Sequence, residues 1–351
     1  MAHAEALKPN VAASEPRRWQ IRLGKLAGLV FLLAFTCVVA LLSLRLGSLS
    51  ISTRNAFEAI FDYNTGIYEQ TIVRELRVPR TLIALSVGAS LAVAGTVMQA
   101  VTRNPLADPS ILGVSQGASL AVAISVTYLG MSNPNEYVWM AFGGAFLASV
   151  LVFVVGSAGR GGASPVKLAL AGVVVSAMLG AWNGTILLMH EDTMDRLRFW
   201  LAGSVAGRDI DTFWAVAPFL FAATLACLLL GHQLNVLSMG DESARALGMN
   251  TTRVRGISSM LVILITGASV SVAGPIGFVG LATPHMIRAV VGPDNRWVLP
   301  YSLLTGAILL TAADVAGRIA TRPAELQVGI VTALLGAPFL VILARRTRLA
   351  D

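Results

Sequence analysis

Long apolar runs separated by short polar segments dominate the chain. The runs cover Leu26 to Leu46, Leu82 to Val101, Ile111 to Leu129, Val138 to Gly156 and Leu168 to Met189, then Phe213 to Gly231, Ile257 to Val272, Ile276 to Val291, Leu299 to Ala313 and Val328 to Ala344. Each approaches the ~20 residues that a helix needs to cross the hydrocarbon core of a bilayer, so the pattern predicts about ten membrane-spanning helices. The eighth run is short and carries Pro284, which removes a helix hydrogen bond and predicts a kink.

The polar ends set the expected orientation. The N-terminal "EPRRWQIRLGK" and the C-terminal "ARRTRLAD" are both basic. Lys and Arg beside a span are retained on the cytoplasmic side, which places both termini inside and makes the number of spans even. The first 25 residues lack an oily signal core and a small-residue cleavage site, so the first span is expected to stay as an uncleaved anchor. The expected organisation is a cytoplasmic tail over 1–25, one ten-helix transmembrane unit over 26–344 and a second cytoplasmic tail over 345–351.

Composition supports this all-α integral membrane reading. Of 351 residues 55% are hydrophobic and only 13% charged, about half of the roughly 25% usual in soluble domains, and the mean hydropathy is +0.72. The net charge of +7 then reads as a topology signal and not as nucleic-acid binding. One region runs against the inside bias: Arg74, Arg77 and Arg80 in "IVRELRVPR", with Arg318 and Arg322 in "DVAGRIATRPAEL", fall outside. An external acidic partner would account for them. So would snorkelling to the headgroups with pairing to Glu75, Asp314 or lipid phosphate, and the residues alone favour this second reading.

Candidate chemistry is sparse. No G-x-x-x-x-G-K-[ST] phosphate loop is present, since "GRGGASPVK" lacks the required ending. The four histidines (His3, His190, His232, His285) and two cysteines (Cys37, Cys227) are scattered without the paired spacing of a zinc site. No nucleophile elbow occurs. Ionisable residues are almost absent from the middles of the spans, where each costs ~2.5–3.5 kcal/mol on insertion scales. The exception, Asp314, lies near the outer end of the ninth span one turn before Arg318 and predicts an interfacial ion pair. Energy for uphill transport is therefore expected from another subunit.

The longest inside loop, His232 to Arg255, contains "DESARALGMN". Asp241 and Glu242 open a short helix, Ala244 and Leu247 share its apolar face, and Gly248 and Asn250 are stop signals. A docking lever for a soluble motor and a helix idling on lipid fit this spacing equally. A repeat adds to the picture: "GASLAVAG" (Gly88 to Gly95) and "GASVSVAG" (Gly267 to Gly274) lie in spans five apart. An odd separation puts the copies in opposite orientations, as in inverted-repeat transporters.

The stretches "RVPRTLIALSVGASLAVAGTVMQAVTRNPLADPSILGVSQGAS", "LNVLSMGDESARALGMN", "VAGPIGFVGLATPHMIR", "GPDNRWVLP" and "PAELQVGIVTALLGAPF", in this order, resemble the FecCD-type permease subunits of bacterial ABC importers for ferric siderophores, haem and cobalamin. The resemblance runs from the first span to the last. It implies a ten-helix subunit of the cytoplasmic (inner) membrane that pairs with a second permease subunit, identical or homologous, around a translocation path. Two cytoplasmic ATP-binding subunits and an extracytoplasmic solute-binding protein complete the assembly. This chain would bind no cofactor itself and would catalyse nothing, ATP being used by the partners.

The resemblance also assigns residues. Arg77, Arg80 and Arg318 match the arginines that receive the binding protein, while Arg74 and Arg322 are not carried by it and stay lipid anchors. Asn104 and Leu106 of "RNPLADP" match a cytoplasmic gate, with Asn-Pro and Asp-Pro stopping the helix there. Gly240, Glu242, Ala244, Arg245, Leu247 and Gly248 match the coupling helix that enters the ATPase. Some relatives place small hydroxyl residues as a second gate between the fourth and fifth spans; this chain has Pro165 and Val166 there, with Ser164 adjacent. A ferric siderophore is the expected solute, with haem or cobalamin as alternatives and an ion-driven secondary transporter as the rival mechanism.

Overall fold

A computed structural model describes residues 15–158, 165–322 and 324–347. Residues 1–14 of the expected N-terminal tail, and Ser164, lie outside the described residues. Within them the chain is helical throughout, in the order α1 (Glu15–Arg45), α2 (Thr53–Phe61), α3 (Tyr68–Thr71), a π-helical turn (Ile72–Arg77) and α4 (Val78–Thr102). A 3-10 turn (Pro109–Leu112) leads to α5 (Val114–Tyr128), α6 (Pro134–Ser157), α7 (Pro165–Met189), α8 (Glu191–Leu201) and α9 (Ile210–Leu229). Then follow α10 (Gly231–Ser238), α11 (Asp241–Ala246), α12 (Thr251–Ala273), α13 (Val279–Val291), α14 (Asn295–Ala320) and α15 (Val328–Thr347).

Among the described residues seven helices are long and apolar enough to cross a membrane, and three shorter apolar ones, within α5, α13 and α15, bring the set to the ten expected from sequence. Both termini of the described chain lie at one end of the bundle. Lys25 near the start of α1 reaches Val291 at the end of α13. At the opposite end, which carries α2, the start of α15 is tied to the α14 terminus by Leu326 N–H donating to Gly317 O. The chain thus returns to the α11 end, as an even number of crossings requires.

α4 is the central helix: 78% of its most apolar stretch is buried, against 11% for α1. Its small residues let neighbouring backbones approach. A Cβ built on Gly95 would lie 1.9 Å from the Gly280 carbonyl oxygen of α13, and one on Gly88 would lie 2.4 Å from the Gly306 carbonyl oxygen of α14. Such contacts stabilise membrane helices through dispersion, since lipid offers little hydrophobic drive for their association. Gly95→Val is therefore expected to force α4 and α13 apart and prevent accumulation of folded protein. Gly143→Ala, where no atom lies within 4 Å, leaves the yield of monodisperse protein unchanged on size-exclusion chromatography.

α4 and α12, which carry the two octapeptides, run in opposite directions. α4 starts beside the α14 terminus and ends beside α11, whereas α12 starts beside α11 and ends where Ser204 N–H donates to Ala273 O at 2.8 Å. The expected opposed orientation is met. The copies nevertheless differ in use: Gly95 sits inside α4, while Gly274 (φ 70°) terminates α12.

The eighth span is shorter than its hydrophobic run suggests. Gly274 and Phe278 (φ 76°) both adopt left-handed backbone, so α13 begins at Val279 and not at Ile276. Its 13 residues reach only about 20 Å at 1.5 Å per residue, short of the ~30 Å core. Pro284 has no N–H to offer the Gly280 carbonyl one turn back, and Gln99 of α4 covers this break. Its side-chain amide donates toward Gly280 O (3.5 Å) and Leu281 O (3.2 Å), and its Oε1 accepts from Arg288 at 2.5 Å.

Candidate functional site

The turn between α4 and α5 is built from local polar bonds. α4 stops because Arg103 takes φ 52° at its C-cap and Pro105 follows. Asn104 Oδ1 then accepts from Leu106 N–H at 2.9 Å, and Asp108 Oδ1 accepts from Ser110 N–H at 2.9 Å. These are side-chain-closed turns, the second of which caps the 3-10 turn at Pro109. Asn104 and Leu106 are both exposed, Leu106 by 54%. Asn104 also borders an apolar cavity of about 300 Å³ shared with Met98, Thr102, Val166 and Leu170. Val166 thus faces the same space as the proposed gate, while Ser164 lies outside the described residues.

α11 lies next to this turn. Gly240 takes φ 103°, a conformation that side chains disfavour, and allows the abrupt entry into the helix. At the exit Gly248 (φ 79°) donates to Arg245 O at 2.9 Å and Met249 N–H donates to Ala244 O at 3.0 Å, a Schellman closure. Ala244 is fully buried, whereas Leu247 is 64% exposed and Glu242 and Arg245 are exposed. The apolar face expected from sequence is therefore divided, with Ala244 seating the helix and Leu247 pointing away from the chain. Asn250, expected as a stop signal, instead caps the next helix by accepting from Arg253 N–H.

Asp241 joins these elements. Arg255 of α12 donates to both its oxygens, at 2.7 and 2.9 Å, and Arg103 of the turn after α4 lies 3.5 Å away, with Arg245 at 3.9 Å. The Arg255 hydrogen bond, aided by the charges of Arg255, Arg103 and Arg245, holds the Asp241 carboxyl below its ordinary value of 3.8. A depressed carboxylate pKa contributes above the ordinary range and is lost only as pH falls through the lowered value. The knot is therefore ionised throughout the neutral range. Sequence reading missed Arg103 and Arg255 as partners of this carboxylate, and their separation along the chain gave no local spacing by which to find them.

At the α2 end lie the three arginines of the expected docking surface, with Arg77 and Arg318 buried and Arg80 half-buried. Arg77 is only 6% exposed and donates to the carbonyls of Leu44, Arg45 and Leu49. Arg318, 1% exposed, donates to Ser43 O, Leu46 O and Ser43 Oγ and pairs with Asp314 at 3.0 Å. The cause is the C-terminus of α1, whose last carbonyls lack helix partners and attract cations. Arg80 grips Asp314 through Nε and Nη2 and bonds Glu325 at 2.6 Å. The expected Asp314–Arg318 pair forms, yet inside the protein and with Arg80 as a third member. Arg74 is exposed and stacks over Tyr63 at 4.6 Å, and Arg322 is also exposed.

Among the described residues no group of histidine, cysteine and carboxylate side chains fits a metal. The polar machinery concentrates at the two ends of an otherwise apolar helical bundle, and the class so defined is a multi-span solute permease. The chain belongs to the FecCD transport family, whose profile matches residues 33–346.

The Fe(3+)-citrate import system permease protein YfmD of Bacillus subtilis (strain 168) is 43% identical over 307 residues, 88% of this chain and 91% of that protein. The ferric enterobactin transport system permease protein FepD of Escherichia coli (strain K12) is 42% identical over 315 residues, 90% of this chain and 94% of that one. The hemin transport system permease protein HmuU of Yersinia pestis is 37% identical, with 91% and 95% covered. A solved inward-facing structure of a metal-chelate type ABC transporter superposes with TM-score 0.78 at 29% identity, covering 91% of this chain and 98% of that one.

Proposed function

We propose that this chain is the permease subunit of an ATP-driven importer for ferric siderophores, paired with a second permease subunit around a path bordered by Asn104 and Leu106. The α11 end faces the cytoplasm, where two ATPase subunits receive α11; the α2 end receives an external binding protein. The observation that carries this reading is Asp241 of α11, one carboxylate tied to the turn after α4 through Arg103 and to α12 through Arg255. Movement of α11 is thereby passed to the gate. No chemistry on the solute is needed, and the small apolar residues of the interior give a chelate little to hold it.

A ferric chelate is favoured because two of the compared relatives, the citrate and enterobactin permeases, carry ferric chelates in their names at 43% and 42% identity. Haem is the second reading, resting on the hemin permease at 37%. Vesicles holding the assembled importer, its ATPase and its binding protein, offered labelled ferric siderophore, haem and cobalamin, decide between them. Uptake of the ferric siderophore above the other two is expected, and uptake of haem alone would replace the first reading by the second.

Docking involves Arg80. Its bond to Glu325, which is 31% exposed, is the outermost contact of the arginine knot, and an incoming carboxylate from the binding protein displaces Glu325 there. Arg77 and Arg318 hold α1 beneath. Glu325→Gln removes the competing charge and is expected to tighten the binding protein several-fold in a surface-binding assay. Unchanged or weaker binding would show that Arg80 is not the receiving group.

A further inference from the structure

The side of the bundle formed by α1 and α14 carries a feature that the transport reading does not use. α1 is the least buried of the spans, and near its start it is fastened by two bonds: Tyr301 Oη donates to Lys25 O at 2.6 Å and Lys25 Nζ donates to Val291 O at 2.7 Å. Beside these bonds a groove opens between the two helices. The wedge between them is a cavity of about 550 Å³ with walls of Leu26, Leu29, Trp297 and Pro300, and with Arg22 and Arg296 at its mouth.

The mouth is cationic and the trough is apolar. Lys25 lies 5.6 Å over the Trp297 ring, so three cations, Arg22, Lys25 and Arg296, face one carboxylate, Asp294. That carboxylate is saturated by Arg296, with Asn235 donating as well, and the Arg296 bond first among its causes lowers its pKa to about 2. It therefore stays ionised and satisfied, and it cannot neutralise Arg22. Arg22 is exposed and marks the point where the apolar stretch of α1 begins, with Trp297 facing the same mouth. Tryptophan and basic residues together mark the headgroup level of a membrane. Basic pockets between membrane helices on such a boundary bind anionic headgroups.

We propose that this wedge is a binding site for one anionic phospholipid. Its phosphodiester lies between Arg22 and Arg296, and one acyl chain fills the trough along Leu26, Leu29 and Pro300. Occupancy adds a lipid bridge between α1 and α14 beside the contacts they already make. The other end of α1 supplies the carbonyls that hold Arg77 and Arg318, so the lipid supports the α2 end at a distance.

Native mass spectrometry of the full chain released from nanodiscs of mixed phosphatidylglycerol and phosphatidylcholine tests this directly. One retained phosphatidylglycerol is expected, favoured over phosphatidylcholine at least fivefold. Arg22→Gln, at an exposed side chain outside the packed core, lowers that preference at least threefold, and Leu26→Trp, which fills the trough, removes both lipids. Equal retention of the two lipids, a preference unaltered in Arg22→Gln, or displacement of the lipid by inorganic phosphate alone would each overturn the proposal.

Discussion

Leu247→Asp is expected to reduce ATP-driven uptake to background while the chain still folds and inserts. Leu247 is a large apolar side chain presented at 64% exposure from a helix whose only buried side chain is Ala244. Among the described residues little covers it, so the substitution removes little intramolecular packing. At an interface an apolar anchor of this kind typically contributes about 2 kcal/mol or more, which corresponds to a loss of ~30-fold in docking of the motor. A carboxylate placed in the receiving cleft adds a desolvation cost to the lost contact. Uptake and ATP hydrolysis measured together in proteoliposomes provide the check: uptake falls by more than tenfold, and any hydrolysis that remains no longer responds to the binding protein. Normal uptake in this variant would remove α11 as the coupling element.

Among the charged side chains, a large effect on stability is expected at Asp314. Its side chain is 1% exposed and neutralises both Arg80 and Arg318, while Arg77 lies close enough to feel Arg318. Asp314→Ala leaves the buried Arg318 guanidinium without its ion-pair partner and Arg80 with Glu325 alone, and breaking a buried pair in this way typically costs about 3–5 kcal/mol. The affected groups also hold the end of α1, so α1 detaches first. Glu325→Ala breaks only a partly exposed bond to the same arginine, for which roughly 1 kcal/mol or less is expected. Thermal unfolding of the two variants in detergent separates them; equal losses would mean that the buried knot is not what holds this end together.

The hydrophobic runs specified ten crossings because lipid demands length and apolarity, and both are written locally. Boundaries failed where tertiary contacts decide them. Ile276 to Phe278 are as apolar as the helix that follows, yet the left-handed backbone at Gly274 and Phe278 excludes them from α13. The amphipathic α2, with Ser52 accepting from Asn55 N–H, and α8, with Glu191 and Asp192 in its first turn and Arg198 in its last, carry ordinary capping and charge signals. These were obscured by their position in loops between stronger apolar runs.

The site residues divide in the same way. Gly248 was legible as a stop signal, since the left-handed backbone it adopts suits glycine. The role of Asp241 was not, because its partners Arg103 and Arg255 come from separate helices. The inward turn of Arg77 and Arg318 was equally hidden. It depends on the carbonyls of Ser43, Leu44 and Arg45 at the end of α1, groups that every residue possesses and that sequence alone does not distinguish.

The proposed importer draws its energy from partner subunits. Among the described residues Asp314 is the most deeply buried carboxylate, and its oxygens are occupied by two arginines. The direct measurement is accumulation of labelled ferric siderophore in liposomes that contain the permease alone, under an imposed proton or sodium gradient, and then with the ATPase subunits, binding protein and ATP restored. No accumulation in the first condition and concentrative uptake in the second is the predicted result; sustained accumulation by the permease alone would contradict it.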